Sequence, residues 1–248
     1  MKTPLQSIEI QSIYKNSRNV AVSLPSRMAR CTPDTYRAIF AIDTELRKLK
    51  GQLILSDLFR SYEMQFQANA DFVAKRKTAY SPPPGGSMHE AGRGMDIDLK
   101  SIKVPLKNFW KIAAKYGFYP IIDAPNAGVD EAWHFDHRGS HQVVYDYYAS
   151  GKGTNFKPYK AMAASAITAI DVRVDTFGEH QKQAQLQFGL VRLGKNIGNV
   201  DGLIGRKTQD AIVALGLQFR PQDIDTMLID VENLLQARFP EEYKKAFE

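Results

Sequence analysis

The stretch SPPPGGSMHEAGRGMDIDLK, residues 81–100, constrains the fold more than any other part of the chain. Its prolines and glycines predict a loop that first stiffens and then loosens the backbone. The alternation in MDIDL then predicts a short strand with its apolar residues facing the core and with Asp96 and Asp98 on the other face. A loop that only connects two elements does not need His89 and Asp96 on either side of a tight glycine turn.

The segments around this loop predict an α+β domain. Apolar side chains with helical spacing over residues 33–50 predict an amphipathic helix that opens at Thr32-Pro33 and closes at Gly51. The other predicted elements are a buried strand in QLILSDLF, a helix capped by Ser61, a helix from near Pro105 to Gly117, and a last strand in EAWHFDH.

The sequence pattern changes after the last of these elements. The stretch YYASGKGTNFKPYK has no periodicity, and the chain beyond about residue 160 is almost wholly helical in pattern. We therefore predict a first domain over residues 1–150, a linker over 151–165, and a small all-α helical domain over 166–248.

Composition excludes some classes of protein but does not choose a function. A net charge of +6 favours anionic partners such as nucleic acid, acidic membranes or wall polymers. The charge is spread along the chain with no nucleic-acid reading motif, and no apolar stretch approaches the roughly 20 residues of a membrane helix. The single cysteine, Cys31, excludes an intrachain disulfide. The N-terminus lacks the apolar run of a secretory signal.

Four residues of the first domain suggest metal chemistry. His89 and Asp96 flank the glycine turn, and EAWHF adds His134 beside Glu131. Two imidazoles and one carboxylate suit Zn²⁺ with a fourth position for water, and one zinc ion per chain is expected. Glu131, as a carboxylate outside the ligand set, is placed to move a proton from water to a leaving amine.

Three motifs resemble the M15 zinc peptidases of the VanY and VanX D-alanyl-D-alanine peptidase type. SMHEAGRGMDID is similar to that family's S-x-H-x-x-G-x-A-x-D signature, EAWHF to its E-x-W-H signature, and SDLFRSYEMQ to its S-G-Y-R-S-x-x-x-Q segment. The resemblance spans roughly residues 33 to 140 in matching order. It implies a zinc DD-peptidase or Hedgehog-like fold, in which helices flank a small antiparallel sheet.

The resemblance also implies a role for each matching residue. His89, Asp96 and His134 match the zinc ligands, and Glu131 matches the catalytic base. Arg60 matches the arginine that steadies the oxyanion. The match further implies that Ser87 lies close to bound substrate, and Trp133 is expected in the pocket wall or core. Gly94 replaces the usual alanine, a change expected to spare the turn, and Asp57-Leu58-Phe59 precedes the arginine where the family more often has Gly-Tyr.

The second half of the chain resembles the peptidoglycan-binding domain of bacterial and phage wall hydrolases. The matching parts are QKQAQLQFGLVRLG, the turn VDGLIGRKT and the helix QDAIVAL, with Thr208 as the expected helix cap. A further amphipathic helix follows this unit and is expected either to complete the bundle or to cover part of the groove. A helical bundle without a ligand is the alternative interpretation.

Together these features predict a zinc metallopeptidase that cleaves peptide bonds of bacterial peptidoglycan. A phage endolysin is expected, made in the cytoplasm without a signal peptide, released by a holin and active on the wall in host-cell lysis. The alternatives are a bacterial D,D-carboxypeptidase that trims terminal D-alanine and a non-catalytic wall-binding protein with structural zinc. We expect peptidoglycan as partner, no nucleic acid, no membrane and no protein partner, and hence a monomer.

Overall fold

The computed structural model describes residues 2–245 and has an α+β fold with helices around a mixed sheet. The strands are β1 (Gln6–Ser7), β2 (Gln11–Lys15), β3 (Ala21–Ser23), β4 (Arg30–Cys31), β5 (Leu55–Asp57), β6 (Gly94–Ile97), β7 (Phe118–Pro120) and β8 (His134–His137). The helices are α1 (Pro33–Lys48), α2 (Tyr62–Val73), α3 (Leu106–Lys115), α4 (Gln142–Ala149), α5 (Pro158–Ala169), α6 (Gln181–Arg192), α7 (Arg206–Val213) and α8 (Ile224–Arg238).

The main sheet has six strands in the order β3-β2-β5-β6-β8-β7. The prediction of a small antiparallel sheet is wrong in this respect, because β2 pairs with β5 in parallel while the other pairs are antiparallel. The extra strands β2 and β3 form an N-terminal hairpin that sequence reasoning missed. Both strands are short and largely exposed, so they carry little of the apolar alternation that identifies a strand.

Local signals placed the starts of α1, α2 and α3 correctly, whereas α2, expected to run through residue 80, ends at Val73. Pro33 begins α1, the Ser61 hydroxyl accepts a hydrogen bond from the Met64 amide at the start of α2, and Gly117 follows α3 with a φ of 77°. The strands are shorter than predicted. β8 starts only at His134, because Glu131 adopts a φ of 64° in the turn before it.

The buried apolar residues form two clusters. One lies under the sheet and packs α1 and α3 against it, while the other joins α4, α5, α6 and α8. The second cluster also includes Met88 and Ala91, which flank His89 in sequence and belong to a 3-10 helix that contacts α5. The helical half of the chain, which runs from α4 to α8, therefore packs directly on the segment that carries His89.

The predicted linker has two parts. Residues 151–157 are turns and irregular backbone, whereas residues 158–165 belong to α5, most of which is buried. The division of the chain into two domains stays a prediction. No helix within residues 2–245 combines the length and the apolar character needed to cross a membrane.

The Asp-Gly turn of the helical half is held by one glutamine of α6. The Gln187 side-chain oxygen accepts hydrogen bonds from the amides of Asp201 and Gly202 at 3.0 and 2.8 Å. Thr208 does not cap α7 as predicted, because the helix begins one turn earlier, after Gly205, and buries Thr208. The additional helix α8 packs on α6, so it completes the bundle.

Candidate metal centre and active site

Three neighbouring strands place acidic and imidazole side chains side by side. In the antiparallel register, Asp96 of β6 lies opposite His134 of β8 on one side and opposite Asp57 of β5 on the other. Directly opposite residues point to the same face of a sheet with Cβ atoms about 4.5–5.5 Å apart. The register alone therefore brings Asp96 and His134 together.

His89 reaches the same point from the 3-10 helix Met88–Ala91. A capping box formed by Ser87 and Glu90 starts this helix, and Gly92 ends it with a φ of 63°. The ring Nδ1 lies 2.8 Å from the carbonyl oxygen of Leu58, so Nδ1–H donates there. That hydrogen bond fixes the tautomer and leaves Nε2 as the atom available to a ligand.

Gly94 lets the His89 ring lie against β6. A Cβ at position 94 would stand 2.9 Å from the His89 amide nitrogen and 3.1 Å from its ring Cγ. The turn forms with Gly94 as expected, whereas an alanine in this geometry would force His89 to move. The backbone of β6 and the His89 ring are packed as one unit.

The three side chains converge as a metal site requires. One donor atom from each of His89, Asp96 and His134 lies within 4.8 Å of the others, and all three residues are buried. His134 Nδ1 is 2.8 Å from Asp96 Oδ1, and His89 Nε2 is 3.3 Å from the same oxygen. His89 Nε2 has no hydrogen-bond partner among residues 2–245. A buried donor set with an orphaned imidazole nitrogen fits a bound Zn²⁺.

A fourth residue, Asp136, orients His134 from behind. Its Oδ1 accepts a hydrogen bond from His134 Nε2 at 2.9 Å, which turns Nδ1 toward Asp96. Carboxylate–imidazole pairs of this kind orient metal-bound histidines. Sequence reasoning missed Asp136, although its position two residues after His134 in an alternating strand puts both side chains on one face.

The charges of the cluster support one another. Burial alone would raise the pKa of Asp96, but the imidazoles of His89 and His134 hold it well below its usual range. Burial alone would lower the pKa of His134, but Asp136 and Asp96 raise it well above its usual range. Asp96 therefore keeps the negative charge that a divalent cation needs.

Arg60 is fixed at the edge of the cluster. Its Nε donates to Asp57 Oδ2 at 2.6 Å, its Nη1 to Gln65 Oε1 at 3.2 Å and its Nη2 to Asp96 Oδ2 at 3.4 Å. Asp57, one of the residues at which the sequence departs from the family, thus holds the guanidinium. The side chain is largely buried and still lines the cleft described below.

Glu131, Trp133 and Ser87 surround the cluster. Glu131 lies in the turn before β8, and its carbonyl oxygen accepts a hydrogen bond from the His134 amide at 3.0 Å. Burial, reinforced by the charges of Asp96 and Asp130 and opposed by His134, raises the pKa of the Glu131 carboxyl. Ser87 lines the cleft, but its hydroxyl caps the 3-10 helix by accepting from the His89 amide.

A cleft of about 390 Å³ opens over these residues, a volume in the range of small-molecule sites. All seven residues predicted from the sequence line it: Arg60, Ser87, His89, Asp96, Glu131, Trp133 and His134. Its wall also includes three residues that sequence reasoning missed, namely Arg138, Tyr145 and Tyr159. Tyr159 belongs to α5 and lies within the predicted linker, so the helical half contributes to the cleft.

Comparisons with known proteins add little to this geometry. No protein-family model and no curated protein matches the chain. The solved structure of the LdcB LD-carboxypeptidase, described for its peptidoglycan recognition, is 19% identical with a TM-score of 0.39 and covers 54% of this chain and 67% of its own. The L,D-carboxypeptidase DacB from Streptococcus pneumonia is 18% identical with a TM-score of 0.34 and covers 59% of this chain and 92% of its own.

Proposed function

We propose that the chain is a zinc metallopeptidase of the M15 type that hydrolyses peptide bonds of bacterial peptidoglycan. The observation that carries the proposal is the convergence of His89, Asp96 and His134 on the floor of a cleft that also holds Glu131 and Arg60. A structural zinc site is usually closed by four protein ligands. Three ligands with a free acid and a fixed guanidinium beside them favour catalysis.

Each side chain has a role that follows from its position. His89 Nε2, an Asp96 carboxylate oxygen and His134 Nδ1 would hold the ion, with Leu58 and Asp136 orienting the two rings. The bound metal would supply a Lewis acid that polarises water and the substrate carbonyl.

Glu131 and Arg60 supply the remaining chemistry. Glu131 is partly buried and lines the cleft, so its carboxylate takes a proton from water and passes it to the leaving amine. Arg60 presents a guanidinium whose direction is set by Asp57, which suits it to stabilise negative charge on the substrate oxygen without reorganising.

The substrate part of the proposal rests on the resemblance of the helical half to wall-binding domains. Holding the chain on the polymer would raise the concentration of peptide stems around the cleft without new contacts at the metal. As part of the same proposal, the chain acts on the wall as a phage endolysin.

Mass spectrometry of purified muropeptides tests the function. The wild-type chain with zinc should create new peptide termini, whose masses name the bond cut. Glu131→Gln, which keeps the side-chain shape, should slow the reaction by about 10²- to 10⁴-fold. Binding of both proteins to sacculi without any change in muropeptides would contradict the peptidase and favour a wall-binding protein.

A further inference from the structure

One cationic side chain of the cleft is held between aromatic rings but has no anionic partner among residues 2–245. Arg138 follows β8 and lines the same cleft as His134. Its guanidinium carbon lies 4.9 Å from the ring centre of Tyr119 and 5.0 Å from that of Tyr145. Two aromatic faces at this distance attract the guanidinium and restrict its rotamers.

The hydrogen bonds of Arg138 leave most of its donors free for a ligand. Nη1 donates to the Gln142 side chain at 3.1 Å, whereas Nε is buried without a partner in residues 2–245. No carboxylate oxygen in that range lies within 4.0 Å of a guanidinium nitrogen of Arg138. A buried guanidinium donor without a partner is costly and indicates a ligand that satisfies it.

The other arginine of the cleft is different. Arg60 is already paired with Asp57 and Asp96, so its charge is compensated within the protein. Arg138 therefore offers the cleft an uncompensated planar cation. A planar guanidinium matches a carboxylate, which can accept two parallel N–H donors.

We infer that Arg138, clamped between Tyr119 and Tyr145, forms a carboxylate-binding subsite of the cleft. The inference rests on the proposed function and narrows its substrate class to peptides that present a free carboxylate near the scissile bond. In a stem peptide with lysine at its third position, that carboxylate is either the C-terminal one or the free α-carboxyl of the D-glutamate residue. The first source makes the enzyme a carboxypeptidase.

Synthetic stem peptides in four forms test the subsite, with the C-terminus as acid or amide and with D-isoglutamate or D-isoglutamine. The wild type should prefer one acid form, and the position of that acid identifies the source of the carboxylate. Arg138→Met should lower kcat/KM for the preferred acid by about 10- to 100-fold, as expected for a charged hydrogen bond, and by much less for the matching amide. Arg138→Lys should keep part of the preference, because it keeps the charge but not the fork.

A second readout needs no turnover. Calorimetry should give a higher Kd of Arg138→Met for the preferred acid, with the Kd for the amide little changed. Arg18→Met, the same change at an exposed site in the turn between β2 and β3 and outside the cleft, is the matched control and should retain the wild-type preference. Equal hydrolysis of acid and amide forms by the wild type, or an unchanged preference in Arg138→Met, would overturn the subsite. Failure of the wild type to cleave any of the four would overturn the proposed function itself.

Discussion

The molecule buries two clusters of charged side chains that are similar in composition and different in state. The metal-site cluster consists of His89, Asp96 and His134. The arginine cluster consists of Asp34, Arg93, His137, Arg192 and Glu242. Both combine carboxylates with histidine, and both are almost completely shielded from solvent.

The arginine cluster is closed, because its charges pair with one another. Arg93 donates two parallel hydrogen bonds to Asp34, at 2.8 and 3.1 Å. Glu242 accepts from Arg192 at 2.5 Å and from the Ser140 amide at 2.7 Å, and it lies 3.5 Å from Arg93. These bonds tie the C-terminal segment and α6 to α1 and to the backbone between His89 and β6.

The difference separates a structural role from a functional one. A buried ion pair with all partners in place leaves nothing for a ligand to satisfy, and its removal is felt as lost stability. The metal-site cluster leaves His89 Nε2 unpartnered beside a cleft. Residue types alone do not distinguish the clusters, whereas the inventory of hydrogen bonds does.

The largest expected effect is the loss of stability when the arginine cluster is broken. Glu242→Ala would leave Arg192 buried without its carboxylate, so the free energy of unfolding should fall by about 3–5 kcal/mol. Urea unfolding of the variant and the wild type measures the difference. The neighbouring Glu241→Ala, at an exposed side chain, is the control and should change the value by less than about 0.5 kcal/mol. A loss below about 1 kcal/mol for Glu242→Ala would remove the structural role assigned to the cluster.

A somewhat smaller effect should come from acid. Burial lowers the pKa of His137 from 6.5 to about 4, so between these pH values the unfolded chain binds a proton that the folded chain does not. The free energy of unfolding should therefore decrease as the pH is lowered from 6.5 to about 4, by about 3 kcal/mol for this group.

The difference between the wild type and His137→Gln isolates this contribution. His134, whose pKa is raised, shifts stability in the opposite direction and is present in both proteins. Urea titrations of metal-free protein at pH 7, 5.5 and 4 should show a smaller loss in the variant. Parallel losses in the two proteins would mean that His137 is not the responsible group.

The smallest expected effect is on metal binding at the metal-site cluster. Asp136→Asn should weaken zinc binding by about 10- to 100-fold, because His134 loses the carboxylate that orients it and raises its basicity. Competition with a chromophoric chelator measures the affinity. Asp98→Asn is the control, since Asp98 accepts a hydrogen bond from the Lys100 amide in a turn after β6. Equal affinities of the two variants would contradict the role of Asp136.

The sequence predicts the metal-site cluster but not the arginine cluster, for a physical reason. His89 and Asp96 stand seven positions apart around a glycine turn, and Glu131 and His134 lie in one short motif, so local patterns predict them. The structure brings the three predicted metal ligands together, as expected, while their role as ligands stays a prediction.

The arginine cluster is assembled from distant parts of the chain. Arg93 is 59 positions from Asp34, and Arg192 is 50 positions from Glu242, with no periodicity or motif to mark either pair. The parallel pairing of β2 with β5 escaped prediction for the same reason, since it joins segments far apart in sequence. Long-range pairing of this kind depends on the whole fold rather than on local preference.

Calorimetric titration of Zn²⁺ into metal-depleted protein, for the wild type and for His89→Gln, tests the central claim most directly. The account predicts one ion per wild-type chain and a loss of that binding in His89→Gln, whose fold is checked by its unchanged circular dichroism. Absence of binding in the wild type, or equal binding in the folded variant, would contradict a metal centre at His89, Asp96 and His134.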